Sequence, residues 1–153
     1  MSALDISKKA CSECGQRCYQ RQKVRGLWKH PWQDFPCIFL LEEVQVWICS
    51  NCKNVASVKG DAEKLDSVIE SSVREQTSQF IEIIKAKTGV TNERIAQLIG
   101  ISPSYLASLN SQKRTASFNL WNELKAIAID PEEMIKRLDP SWDLLKENLL
   151  LRA

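Results

Sequence analysis

Six cysteines, Cys11, Cys14, Cys18, Cys37, Cys49 and Cys52, carry the most specific chemistry in this 153-residue chain, and none lies beyond residue 52. Four of them form two pairs with a two-residue gap, Cys11-Ser-Glu-Cys14-Gly15 and Cys49-Ser-Asn-Cys52-Lys53, with 34 residues between the pairs. A two-residue gap lets both sulfurs of a tight turn converge on one tetrahedral ion at about 2.3 Å, with backbone amides turned towards the thiolates. Gly15 suits such a turn, because a residue free to take positive φ lets the chain leave it. Two such turns close a four-thiolate site, with Cys11, Cys14, Cys49 and Cys52 as ligands and one Zn2+ per chain. A closed site leaves no position for a substrate water, so the expected ion is structural. The competing reading of each pair is a redox dithiol, which needs a helix start after a buried strand; Cys11 instead follows a polar segment. A disulfide framework is the weaker alternative, because the N-terminus lacks the apolar core of a signal peptide and a reducing cytoplasm is the expected location.

Cys18 and Cys37 stand outside the pairs; small buried apolar side chains are the ordinary expectation, with ligand exchange, a second partial site or a redox role as alternatives. His30, the only histidine, precedes Pro31 in a turn-prone stretch and is expected to be solvated rather than a ligand. With one histidine, triads and two-histidine metalloprotease sites are excluded or confined to this residue. No pairing of base and nucleophile is visible, and the chain is not expected to be an enzyme. No run approaches the roughly 18 apolar residues needed to span a bilayer.

The cysteine pairs require a scaffold between them. Residues 18–24 and 37–49 are rich in β-branched and aromatic side chains. In the second run Val44, Val46 and Ile48 alternate with Gln45 and Trp47, which predicts a strand with one buried face. A module of about 60 residues buries little apolar surface, and a metal is the usual supplement.

The second half reads as helices. Asp61 is expected to cap a helix whose face carries Leu65, Val68, Ile69, Ser72, Val73 and Gln76, with Ser71-Ser72 and Thr77-Ser78 as candidate interruptions, Ser78 as a new cap and Gly89 as the terminating glycine. The stretch Thr91-Asn-Glu-Arg-Ile-Ala-Gln-Leu-Ile-Gly100-Ile-Ser-Pro-Ser-Tyr-Leu-Ala-Ser-Leu109 then reads as helix, turn, helix. Thr91 caps the first helix, with Ile95, Ala96 and Ile99 inward; Gly100 ends it, Ile101 plugs the turn, and Ser102 caps the second helix with Pro103 at its first position. Leu106 and Leu109 face the first helix, and Ala96 is small at the crossing. That spacing fits a DNA-binding helix-turn-helix; a hairpin used only for packing is the alternative. Ser102, Ser104, Tyr105 and Ser108 are the candidate major-groove residues, and Thr91, Asn92, Lys113 and Arg114 the candidate phosphate contacts. For the serines, simple exposure or capping competes with base contact.

Charge supports the interface. The formal charge is only +2, but residues 78–128 hold six basic against three acidic side chains, while 61–77 hold two against five and 129–153 hold four against six. The basic excess lies where a phosphate backbone would need it. Ser117 is expected to cap a helix over 118–128, Asp130 to start another to about residue 138, and Ser141 a third with Trp142, Leu145 and Leu149 in line. A terminal helix this rich in leucine ordinarily packs on its own domain; the alternative is a subunit interface, and the elements after residue 117 are the expected surface of a homodimer, which a two-fold operator requires.

A Cys-x-x-Cys pair, a strand-rich spacer, a second pair in the form Val46-Trp-Ile-Cys-Ser-Asn-Cys52 and then a helix-turn-helix resembles the MqsA (YgiT-type) zinc-finger antitoxins of bacteria, over about residues 8–128. The resemblance implies an N-terminal zinc domain that neutralises a small toxin, often an mRNA-cleaving ribonuclease, and a C-terminal Xre-type domain that dimerises and represses its own operon. Four features depart from the pattern. Cys18 and Cys37 are extra, and about ten residues precede the first pair. The turn after the second helix, commonly Glu-x-Gly-Lys-x-x-Pro, reads Asn110-Ser-Gln112-Lys113-Arg114-Thr-Ala116. Ser104 and Ser108 stand where asparagine, glutamine or arginine is common, so phosphates and DNA shape should carry more of the recognition. The expected fold class is α+β: a β-rich four-cysteine zinc module (1–60), a helical linker (61–77) and an all-α, lambda-repressor-like helix-turn-helix and dimerisation domain (78–153). The expected function is a sequence-specific repressor of double-stranded operator DNA and antitoxin with a small toxin partner; the alternative is a stand-alone zinc-containing regulator without one.

Overall fold

A computed structural model describes residues 5–142. Among them are a two-stranded antiparallel sheet and five helices, a mixed α+β content. In chain order these are β1 (Tyr19–Trp28), β2 (Ile38–Cys49), α1 (Asp61–Thr88), α2 (Asn92–Ile99), α3 (Pro103–Asn110), α4 (Phe118–Ile129) and α5 (Pro131–Leu138). The chain divides into two compact units, Met1–Val73 and Arg74–Ala153, and the division falls inside α1. No described helix is long and apolar enough to cross a membrane. The helix expected from Ser141 lies, from residue 143 onward, outside the described residues.

In the first unit the hairpin runs in register from Tyr19 opposite Cys49 to Trp28 opposite Ile38, with a bulge between Val24 and Gly26. Gly26 takes φ 80°, a conformation that suits a glycine beside a bulge. Ile38, Leu40, Val44, Val46 and Ile48 are buried and Gln45 is exposed, the alternation a half-buried strand requires. Trp47 breaks it: expected to face outward, it is only 7% exposed. The chain beyond the second cysteine pair folds back along β2, the Ala56 N–H donating to the Trp47 carbonyl (2.9 Å), and Val58, Ile6 and Tyr19 cover the indole. Both faces of the strand are therefore buried at the cysteine end.

Helix α1 is uninterrupted over 28 residues, and Ser71, Ser72, Ser78 and Thr88 find partners that leave the ladder intact. The Leu41 N–H donates to Ser72 Oγ (3.0 Å), tying the first half of α1 to β2. Ser71 and Thr88 donate to carbonyls of their own helix, 3.1 and 2.6 Å away. Ser78 is no cap: it lies mid-helix and donates to the Asn110 carbonyl at 2.7 Å. Asp61 is the first helical residue rather than the cap, and its carboxylate pairs with Arg21 at 3.3 Å. Gly89 ends the helix with φ 70°, its N–H reaching the Lys85 carbonyl (2.8 Å).

The second unit closes around Ile81 and Ile84 of α1, Ile95 and Ala96 of α2, Leu106 and Leu109 of α3, and Leu124 and Ile127 of α4. Ala96 has no exposed surface, and a larger side chain there would force α2 and α3 apart. Phe80 and Phe118 flank Trp121, with ring centroids 5.6 and 6.2 Å from it.

Candidate functional site

The two Cys-x-x-Cys turns fold alike, residue for residue. In the first, the Cys11 N–H donates to the Gln16 carbonyl (2.8 Å) and the Gly15 N–H to the Cys11 carbonyl (2.9 Å). In the second, the Cys49 N–H donates to the Asn54 carbonyl and the Lys53 N–H to the Cys49 carbonyl, both at 2.9 Å. The residue after each pair is left-handed, Gly15 at φ 73° and Lys53 at φ 67°. Sequence alone flagged the glycine and missed the lysine, which occupies the same geometry at a steric cost.

These turns place the Sγ atoms of Cys11, Cys14, Cys49 and Cys52 within 4.8 Å of one another. Cys11 and Cys52 approach to 3.5 Å, and Cys14 and Cys49 to 3.6 Å. A tetrahedron with metal–sulfur bonds of about 2.3 Å has edges of about 3.8 Å, so the four sulfurs are spaced for a single ion. Cys11 and Cys49 are buried, Cys14 is half-buried and Cys52 is exposed.

The electrostatics ask for a cation. The Cys14 N–H, against some desolvation, holds the Cys11 thiol down to about 6, with the Glu13 N–H and the Tyr19 hydroxyl assisting. Cys14 is lowered too, chiefly by the Asn51 side chain and the Gln16 N–H. Cys52 goes the other way: the Asn54 N–H favours its thiolate, but partial desolvation of the sulfur and the three neighbouring sulfurs push it up to about 12. Thiolates are thus stabilised at two positions while a further negative charge is resisted beside them. A divalent cation resolves that conflict, because it deprotonates its sulfur ligands outright. The donor set and spacing fit a metal of the zinc class.

Cys18 and Cys37 do not join this group among the described residues. Cys18 is half-buried against the Tyr19–Trp47–Cys49 cluster, and its carbonyl accepts from the Ser50 N–H (2.8 Å). Cys37 is exposed, against the expectation of a buried apolar thiol, because it lies in the hairpin loop one residue before β2. His30 is half-buried beside Trp28, with ring centroids 4.4 Å apart.

The second candidate is the α2–α3 pair. Thr91 Oγ1 accepts from the Arg94 N–H (3.2 Å), and Gly100 closes α2 at φ 75°. Ser102 Oγ accepts from the Tyr105 N–H (3.1 Å), with Pro103 at the start of α3. Only Gly100, Ile101 and Ser102 separate the helices, and Ile101 packs on the core. Ser102 and Ser104 are exposed with hydroxyls 3.3 Å apart, while Ser108 spends its hydroxyl on the Ser104 carbonyl (3.0 Å). Tyr105 is half-buried, with the exposed Arg114 guanidinium 5.6 Å from its ring centroid. Lys113 is exposed, and its N–H donates to the Ser108 carbonyl (2.9 Å), so α3 ends in a Schellman-type turn with Gln112 at φ 62°. Among the described residues no carboxylate pairs with Lys113 or Arg114. Asn92 is half-buried, its Oδ1 enclosed without a hydrogen bond.

Several contacts here were not apparent in the sequence. Arg94 donates to Asp139 Oδ2 (2.9 Å) and Gln97 Oε1 (2.8 Å), joining α2 to the end of α5. Arg74, Ser78 and Glu82 of α1 bond to residues at and just beyond the end of α3. Their four-residue spacing is visible in the sequence; their partners, about 30 to 40 residues away, are not. No protein-family model, curated protein or solved structure matches the chain.

Proposed function

We propose that the chain is a zinc-containing, sequence-specific DNA-binding repressor of the cytoplasm. In this reading it is the antitoxin of a type II toxin–antitoxin pair of the MqsA (YgiT-type) kind, acting as a homodimer on its own operator. Helix α3 enters the major groove with its N-terminal residues towards the bases, while α2 crosses the phosphate backbone. Zinc, held by Cys11, Cys14, Cys49 and Cys52, ties the ends of the hairpin and supplies no chemistry beyond structure. The first unit is the surface assigned to a small toxin.

The observation that carries the DNA-binding part is the capped α2–α3 pair, with a polar exposed start to α3 and a cationic Lys113–Arg114 pair at its far end. With Ser102 engaged as a cap and Ser108 bonded within α3, base reading falls to Ser104 and Tyr105. Hydroxyls discriminate bases less than bidentate groups, so DNA shape supplies part of the specificity.

Binding of the full chain to its own upstream DNA, followed across salt concentrations, tests this reading. Alanine at both Lys113 and Arg114 should flatten the plot of log K against log[salt] by about 2, since each neutralised phosphate contributes about 0.9. An unchanged slope would remove the pair from the interface. Recovery of a small partner from the native host tests the antitoxin role, and DNA binding with no such partner would favour the stand-alone regulator.

A further inference from the structure

Arg74, Ser78 and Glu82 recur at four-residue spacing and therefore lie along one stripe of α1. All three bond to one short stretch, residues 110–115. Arg74 donates from Nε to Thr115 Oγ1 (2.8 Å) and from a terminal nitrogen to the Gln112 carbonyl (3.4 Å). Ser78 Oγ donates to the Asn110 carbonyl (2.7 Å), and the Asn110 amide donates to Glu82 Oε1 (3.0 Å).

That stretch needs outside support on two counts. The last carbonyls of α3 have no acceptor role left within the helix, and Ser78 meets the one at Asn110. Gln112 is left-handed at φ 62°, a conformation that a residue with a side chain keeps only where its surroundings enforce it. The next two residues are Lys113 and Arg114.

We infer that the Arg74–Ser78–Glu82 stripe is a positioning device that holds Lys113 and Arg114 in place for a nucleic-acid phosphate backbone. The inference rests on the DNA-binding reading above. A basic pair on a freely sampling loop would lose backbone entropy on binding; one already fixed by α1 does not. None of the three stripe residues needs to touch DNA.

The test uses the full chain and a random-sequence duplex, because phosphate contacts do not depend on sequence. Two quantities are read: the salt slope of binding, and amide hydrogen exchange in the unbound protein at Gln112 and Lys113, whose N–H groups donate to the Leu109 and Ser108 carbonyls. S78A is the central variant, since it removes no charge. It is expected to lower the slope by about one contact and to speed exchange about tenfold. R74A should do the same, and R74K, which keeps the charge but loses the two-pronged contact, should recover only part of either change. T115V repeats the test from the loop side without touching α1. Faster exchange with an unchanged slope in S78A and T115V overturns the positioning role. Full recovery of the slope in R74K with exchange still fast also overturns it, since Arg74 would then be a phosphate contact itself. A wild-type chain with no salt-dependent binding overturns the DNA reading and this role together, while exchange still reports whether the clamp exists.

Discussion

Gly100 and Gln112 both take positive φ just beyond the ends of successive helices, 75° and 62°, yet only one is a glycine. Exchanging the residue type at each position should therefore move stability in opposite directions. A left-handed residue with a side chain costs about 1–2 kcal/mol, and glycine's greater freedom in the unfolded chain returns about 0.4–1 kcal/mol of that. A Cβ built on Gly100 meets nothing within 4 Å, so Gly100→Ala carries the backbone term alone. The Gln112 side chain is exposed, and the Gln112 N–H to Leu109 carbonyl bond (3.2 Å) survives its loss. Gln112→Gly should stabilise and Gly100→Ala should destabilise the second unit, each by roughly 0.5–1 kcal/mol. For a unit of this size that is a shift of about 2–8 °C in Tm, readable by calorimetry of the variant beside the wild type. A Gln112→Gly chain that melts below the wild type would refute the reasoning, because it would mean that the glutamine side chain contributes more than its backbone costs.

Elemental analysis should find one zinc per chain, retained in Cys37→Ser and lost in Cys49→Ser, whose sulfur is wholly buried. Zinc should leave as the pH falls, since protons compete for the thiolates; a metal content independent of acidification would contradict a four-thiolate site. Leu124→Ala, at the centre of the helical core and with no exposed surface, should cost about 2–5 kcal/mol in urea unfolding. Asp139 is held below its ordinary value of 3.8 by the Ser141 hydroxyl and N–H and then by Arg94. Its folded pKa being the lower one, its stabilisation is present well above pH 3.8 and is lost as the pH falls through the depressed value. Asp139→Asn should thus be less stable than the wild type near neutrality and converge with it in strong acid; a constant difference across that range would exclude the ionic contribution.

What was legible in the sequence was local. Thr91, Ser102 and Ser117 cap the helices they precede because a cap is decided by a side chain and an amide three residues away. The two cysteine turns were legible for the same reason, and their convergence is what two Cys-x-x-Cys pairs need if they are to share one ion. What escaped was settled at long range. Ser78 looks like a cap until Asn110, 32 residues away, is seen to take its hydroxyl. Trp47 sits at an outward position of an alternating strand, and residues distant in sequence bury it: Ile6, the returning Val58, and Arg21, whose guanidinium lies 5.7 Å from the ring centroid. The left-handed turns at Lys53 and Gln112 carry no glycine to announce them, because their bonds, not their residue type, impose the conformation.

The contact between Cys11 and Cys52 spans 41 positions, and the hairpin lies wholly inside it. An ion bound by those sulfurs would bind the folded chain and not the unfolded one, so its binding free energy would add to the stability of the closed hairpin. The base of the ribbon, where Tyr19 meets Cys49, is then held from outside the strands. A ribbon pinned at its open end does not depend on its turn for register. An insertion beside the exposed Cys37 should therefore leave the Tyr19–Cys49 pairing in place, whereas one between Trp32 and Phe35, which bond to each other and bury the Phe35 ring, should not be tolerated.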